Sequence, residues 1–262
     1  MLFRSKVKNG IAINTGETEA LTTLFTGQKI YVDTRDLSVA PSLLIDGYWE
    51  PEITSVFRKH ITAESVVFDV GANFGYFGIV AGTEVGNGSG KIHFFEANPD
   101  LIGYIFKSLS VNGLDKKSAI NNCAVSDKSG LEVELNILDG LWGSSGLSVD
   151  TSNLIIAGQQ VKTLKKVTMK TISLDDYVKD QKIKNVDVIK MDIEGHEDVA
   201  YRGMRKIIRK NPQLKLFLEF TPAAYKTPQP FFEQLQKDFK HIYLINCDRL
   251  RSEEHTSELQ SH

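Results

Sequence analysis

The sequence predicts an α/β fold: a doubly wound, mostly parallel sheet with helices on both faces, preceded by a small lobe. Three observations carry that prediction. Val66-Val67-Phe68-Asp69 is an apolar strand run ending in an acid, followed by the glycine-rich turn Gly71-Ala72-Asn73-Phe74-Gly75 and an apolar stretch with helical spacing. From Glu64 onward, strand patterns alternate with helix patterns, as they do where a sheet is parallel. Four acids, Asp69, Glu96, Asp192 and Glu219, end predicted strands, and in a parallel sheet such ends share the edge where ligands bind.

Residues 1–62 read as an N-terminal lobe. Strand signals fall at 10–14 and 28–33, a turn at 45–51 and a helix at 52–60. The lobe is expected to pack on the main domain and roof its site. Tyr48 and Trp49 either meet substrate there or anchor the lobe to the core.

Residues 63–250 read as the main domain. After the strand at Asp69, residues 91–96 form a second. Asn98 caps a helix with Pro99 at its first position, Leu101, Ile102, Ile105, Phe106 and Leu109 along its buried stripe, and Asn112-Gly113 at its end. Residues 118–125 read as a third strand. Residues 131–135 and 161–172 alternate as two antiparallel strands joined by the Gly/Ser-rich stretch 140–148, which is either a substrate lid or plain disorder. Ser173-Leu-Asp-Asp176 opens a short helix as a capping box. A fourth parallel strand follows at 186–192. One helix is expected over 194–210, its acids first and its cations last, a distribution that the helix dipole explains. A fifth strand at 214–220, a helix at 230–239 and a sixth strand at 242–245 complete the domain.

Residues 251–262 lack apolar periodicity and read as a non-native tail, of the kind that an adapter translated in frame would give, so the natural C-terminus is expected to be missing. Setting aside its one arginine and three glutamates turns 31 basic and 33 acidic residues into 30 and 30. A charged fraction of 24% and a net charge of −2 give no footprint for nucleic acid. No apolar run reaches membrane-spanning length, and the first residues lack a signal-peptide core. Cys123 and Cys247 have neither metal nor disulfide spacing. They are expected in or beside buried strands, consistent with a reducing, cytoplasmic setting. The oligomeric state is left open.

The glycines at 71, 75 and 78 do not have dinucleotide spacing, and Asn73 stands where the backbone would approach a pyrophosphate. Asp69 would repel a phosphate there and suits an ammonium and a sulfonium charge, as in S-adenosylmethionine. Glu96 follows Asp69 by 27 positions, one strand-helix-strand unit later, where its oxygens can accept both hydroxyls of a ribose. Asp192-Ile-Glu-Gly-His-Glu-Asp198 is the densest polar cluster. Its bland reading is a helix N-terminus with Asp192 or Glu194 as cap and Glu197 and Asp198 facing the dipole. Its functional reading sets Asp192 and Glu194 beside a substrate hydroxyl, with His196 as base or as a residue merely lining the helix. A metal on Asp192, Glu194 and His196 is disfavoured by the spacing, and no metal is expected.

In order along the chain, Asp69-Val-Gly-Ala-Asn-Phe-Gly75, Phe95-Glu-Ala-Asn-Pro99, Asn122-Cys-Ala-Val-Ser-Asp127, Ile172-Ser-Leu-Asp175 and Ile189-Lys-Met-Asp-Ile-Glu-Gly-His-Glu197 resemble successive motifs of the FkbM-type methyltransferases. The resemblance covers residues 27–247. It implies the class I, Rossmann-like methyltransferase fold, S-adenosylmethionine as cofactor and methyl transfer to a hydroxyl oxygen. By position, Asp69, Gly71, Ala72, Asn73 and Gly75 would cradle the methionine part, Glu96 the ribose, and Ala124 and its neighbours the adenine. Asp192, Glu194 and His196 would be the catalytic candidates. The acceptor, a sugar, lipid or small metabolite, is not inherited. Such sheets usually add a last antiparallel strand, and here the chain stops before one can be placed, leaving an expected open edge near 242–245. Two rivals share the fold: a nicotinamide-dependent oxidoreductase, disfavoured by Asp69 and Asn73, and a catalytically silent nucleoside-binding domain.

Overall fold

A computed structural model describes residues 12–147, 155–156, 159–160 and 162–245. The tail and Cys247 lie outside them, as do the first residues of the expected strand at 10–14.

The chain opens with β1 (Ile13–Asn14), β2 (Glu19–Thr23) and β3 (Lys29–Asp33), an antiparallel sheet in that order. Two short helices follow, α1 (Ala40–Asp46), which stops at Gly47 with φ 64°, and α2 (Pro51–Lys59). β2 and α1 were not expected. The Glu-Ala-Leu-Thr-Thr run of β2 carries only two apolar residues, side by side, and α1 is too short to show periodicity.

The main domain runs β4 (Val66–Val70), α3 (Tyr76–Val85), β5 (Lys91–Glu96), α4 (Pro99–Asn112), β6 (Ser118–Asn122), β7 (Ala124–Val125) and β8 (Glu132–Leu138). After the two-residue pair β9 (Ile155–Ile156) and β10 (Gln159–Gln160) come β11 (Thr163–Ile172), α5 (Leu174–Asp180), β12 (Val188–Met191), α6 (Glu197–Arg202), α7 (Arg205–Lys210), β13 (Lys215–Leu218) and α8 (Pro228–Asp238). The main sheet has the order β13-β12-β4-β5-β6, with every neighbouring pair parallel. The strand order reverses between β12 and β4, and a ligand crevice is expected at that point.

Alternate residues of each strand feed two cores. Val67, Ile92, Phe94 and Val188 join α3, α4 and the N-terminal lobe, including Ile30, Val32, Leu43 and Phe57. Phe68, Val70, Phe95, Ile189 and Met191 join α5, α6, α7 and α8. The sheet is therefore covered on both faces, as the continuous apolar strands predict. The lobe shares the first core. No helix among the described residues is long and apolar enough to cross a membrane.

Four expectations are corrected. The strand expected over 118–125 divides at Cys123: β6 stays in the main sheet, and β7 leaves it to pair in parallel with β11. β8 and β11 are antiparallel, as the alternation implied. The helix expected over 194–210 breaks into α6 and α7 at Gly203, whose backbone lies so close to the Ser126 carbonyl that no side chain fits, and Asp175 restarts the helix by accepting the Lys206 and Ile207 amides at 3.0 and 2.9 Å. Phe106 points outward at 59% exposure, leaving Leu101, Ile105 and Leu109 as the buried stripe of α4. Residues 242–245 form no strand, and Tyr243 and Leu244 are largely exposed. The open edge thus falls on β13 among the described residues, one strand earlier than expected. Ser173 caps α5 as predicted, accepting the Asp176 amide at 3.2 Å, but the box closes through Ser129, whose hydroxyl accepts the Ser173 amide at 3.0 Å and donates to Asp176 at 2.6 Å.

Candidate active site

A cleft of about 200 Å³ lies over the carboxyl ends of β4, β5 and β12, where the strand order reverses. Its floor is the loop after β4, and Gly71, Ala72 and Asn73 line it. Gly71 has φ 77° and abuts the Asp192 carbonyl so closely that no side chain fits. Gly75, with φ 85°, starts α3. The loop amides are aimed by the neighbouring strand: Gly71 N and Ala72 N donate to Phe95 O at 2.9 and 3.1 Å.

Glu96 lines the cleft from the tip of β5. One carboxylate oxygen accepts the Asn73 amide and the other the Asn98 amide, each at 2.7 Å. Burial pushes its pKa up to about 7 against the pull of those two amides. Each oxygen keeps a second lone pair, so the carboxylate can still accept hydroxyls. A Glu96→Gln protein can satisfy only one of the two amides, because its NH₂ group must face the other. We expect it to bind S-adenosylhomocysteine about tenfold or more weakly by calorimetry; unchanged affinity would remove Glu96 from the cofactor site.

Asp69 does not line the cleft. It is buried beneath the loop, where one oxygen accepts the Gly78 amide at 2.8 Å and pins the start of α3. Its other oxygen has no hydrogen-bond partner among the described residues. Burial raises its pKa to about 6, opposed by Lys190, its direct cross-strand neighbour. The two strand-end acids are therefore not equivalent: Glu96 faces the hollow, and Asp69 positions the loop from below.

On the far wall stand Lys190, Asp192, Glu194 and His196. Lys190 is buried on the same face of β12 as Asp192 and pairs with it at 2.8 Å, its ammonium 4.8 Å from the centre of the Phe77 ring. Burial opposes ionisation of Asp192, but Lys190 outweighs it and holds that carboxyl below the usual range. Glu194 makes no such pair among the described residues, and burial together with Asp192 and Glu197 lifts it to about 7 against a weaker pull from Lys190. Glu219, at the end of β13, is raised to about 8 by burial and by Asp192. Burial lowers His196, whose Nε2 lies 3.2 Å from Ser126 Oγ.

Asn73 and Glu194 are non-glycine residues held at φ 53° and 56°. Such backbone costs roughly 1–3 kcal/mol and concentrates at functional sites. Here both residues line the same cleft.

The helix-cap reading holds for neither Asp192 nor Glu194: His196 stands at the N-cap of α6 without a side-chain cap bond, and Glu197 ties the turn before it. Glu197 is fully buried, accepts the Ile193 and Gly195 amides at 2.8 and 3.0 Å, and takes the Tyr225 hydroxyl at 3.1 Å. Asp192, Glu197 and Glu219 each bring an oxygen within 4.8 Å of the others, a different trio from Asp192, Glu194 and His196. Those bonds account for Glu197 without an ion.

The cleft's other end is apolar, lined by Ala97, Cys123, Ala124, Val125, Leu135 and Leu147. Over it sits part of the Gly/Ser stretch. Its turn Trp142–Ser144 is held to the lobe by Trp142 N on Asp36 at 3.1 Å and Gly143 N on Ser38 at 3.1 Å, and Trp142 stacks near Phe74. Trp49 lines the cleft, whereas Tyr48 packs on Phe25 with ring centroids 3.9 Å apart. Trp49 also packs against the first core, so it anchors the lobe as well as lining the cleft.

Sequence reasoning missed Lys190 as a site residue, although a lone cation inside Val-Ile-Lys-Met was a visible signal. Asp36 and Ser38 carried no such signal.

An acidic wall for cationic groups, a strand-end carboxylate with spare lone pairs and an apolar end for a purine fit S-adenosylmethionine. Gly71, Ala72, Asn73, Glu96 and Ala124 would hold it, and Asp192 would face its cationic part.

A hexuronic acid methyltransferase of Haloferax volcanii, AglP, is 28% identical over 163 residues, which are 61% of this chain and 58% of that protein. The chain thus spans under two thirds of that relative's length. The solved methyltransferase FkbM from Methylobacillus flagellatus KT aligns over 67% of this chain and 38% of its own at 15% identity, TM-score 0.44. Precorrin-6y C5,15-methyltransferase from Geobacter metallireducens GS-15 aligns over 71% and 70% at 14% identity, TM-score 0.41. The methyltransferase FkbM domain model matches residues 69–249, and the chain belongs to that family.

Proposed function

We propose that this member of the FkbM methyltransferase family transfers a methyl group from S-adenosylmethionine to a hydroxyl oxygen of a sugar, lipid or small metabolite. The observation that carries the reading is the meeting of Glu96, the loop at 71–75 and the wall Asp192–Glu194 around one cleft. When bound, the cofactor supplies a methyl group already activated on a sulfonium centre. The chain's own task is then to align, to place charge and to take up a proton. Alignment alone is worth roughly 7–11 kcal/mol. Asp192, kept ionised by Lys190, favours the cationic centre electrostatically. Glu194, raised to about 7, accepts the hydroxyl proton.

The described cleft is smaller than the roughly 300–1,000 Å³ typical of ligand sites. The stretch at 141–147 therefore serves as a lid that yields to admit ligand and then excludes water. The acceptor is a small hydroxylated molecule or a glycan, and the relative's hexuronic acid makes a sugar the first class to try.

The test is transfer of labelled methyl from S-adenosylmethionine into fractionated glycans, lipids and hydroxylated metabolites. Label stable to mild base is expected, since ethers survive where methyl esters hydrolyse. Base-labile label would move the reaction to a carboxylate, and no label in any pool would favour a silent binding domain. Parallel titration with S-adenosylhomocysteine and NAD should give heat only with the first, since Asn73, which lines the cleft, stands where a pyrophosphate would approach.

A further inference from the structure

A second concavity opens beside the cleft. It is an open groove of about 510 Å³ whose wall at residues 127–129 begins one residue past Ser126, the partner of His196. Across it lie the start of α5 and the broken junction of α6 with α7.

Five cations line this groove: Lys128, Arg202, Arg205, Lys206 and Arg209. Three acids accompany them, and two are already engaged. Asp175 uses both oxygens on the Lys206 and Ile207 amides, and Asp176 accepts the Ser129 hydroxyl at 2.6 Å. A chain with net charge −2 thus gathers a local excess of positive charge.

Arg202 pairs with Asp198 at 3.4 Å and Arg205 with Asp238 at 3.1 Å. Lys128, Lys206 and Arg209 make no ion pair among the described residues. Arg205 also keeps a buried Nε with no hydrogen-bond partner among them. Nor does the helix dipole account for the arrangement. It favours cations at a C-terminus, where Arg209 and Lys210 stand, but the break at Gly203 leaves Arg205 and Lys206 in the first turn of α7. The same close packing of Gly203 on Ser126 that breaks the helix turns these cations toward the groove.

We propose that the groove binds a phosphate-type oxyanion of two or more charges, at a site apart from the methyl-transfer cleft, with Ser126 between Val125 of the cleft and Asp127 of the groove. The inference does not rest on the function proposed above.

The test is calorimetric titration of the full chain with inorganic pyrophosphate. Saturable binding that weakens as salt is raised from about 0.05 to 0.5 M is expected, because exposed charges are screened. The double variant Lys206→Gln/Arg209→Gln should lose about tenfold in affinity and the single variant Lys128→Gln about threefold, with S-adenosylhomocysteine titration unchanged in both. Lys128 lies outside α7, so it reports on the groove even where the double variant unfolds. Glucose 1-phosphate against inorganic phosphate then separates the sources. Tighter sugar phosphate points to a group carried on a larger substrate, and equal affinity to a free anion. No saturable heat with pyrophosphate, or equal affinity in the unaltered chain and the Lys128→Gln protein, overturns the proposal.

Discussion

A Glu194→Gln protein should lose methyl transfer by roughly 10²–10⁴-fold while holding S-adenosylhomocysteine within about threefold of the unaltered chain. Three residues compete for the role of base, and their surroundings separate them. Asp192 is tied to Lys190 at 2.8 Å and held well ionised, which makes it a weak proton acceptor. His196 faces Ser126, and burial lowers its pKa. Glu194 alone is brought to about 7, near a working pH, on a backbone strained at φ 56°. Its ionised form does the work, so turnover should rise as pH climbs through about 7, and the variant should lose that acid limb. Initial rates from pH 5.5 to 9, paired with calorimetry, check both points. A variant that retains full rate and the same limb would pass the role to Asp192 or His196.

Gly71→Ala should cost about 3 kcal/mol or more, a fall in Tm of about 6–12 °C for a chain of this size. The position has φ 77°, and the added Cβ would run into the Asp192 carbonyl. That obstacle is backbone, so it cannot rotate aside. Gly113→Ala is the control. It has φ 67° with open space around it, so it should show only the conformational penalty, about 1–2 kcal/mol. Thermal melts followed by circular dichroism compare the two. Equal shifts would mean that the approach of the two loops contributes nothing.

The sequence disclosed those features that local chemistry dictates. Apolar strand runs and the Asn98 and Ser173 caps set out the main sheet and two of its helices, and Glu96 was legible as a strand-end acid facing a ligand. What escaped depended on distant approach. Nothing near Gly203 announces that Ser126 will press against it, so one continuous helix was expected where two form. Asp69 and Glu96 look alike in sequence, yet only Glu96 faces the hollow, because the Gly78 amide claims the other. Lys190 was visible as an odd charge in a strand, but its meaning required knowing that Asp69 is its cross-strand neighbour.

Asp36 belongs to the lobe, ahead of residues 69–249, which the family's domain model matches. Its carboxylate receives the amides of Val39 and Ala40 at 2.8 Å, the Ser38 hydroxyl at 2.6 Å and the Trp142 amide at 3.1 Å. One side chain therefore moors the cover of the cavity and the first helix of the chain together. Trimming the protein to its recognisable family core would set that cover adrift and expose an apolar floor to solvent. The unit that keeps the cavity covered is thus longer than the stretch that the family model matches.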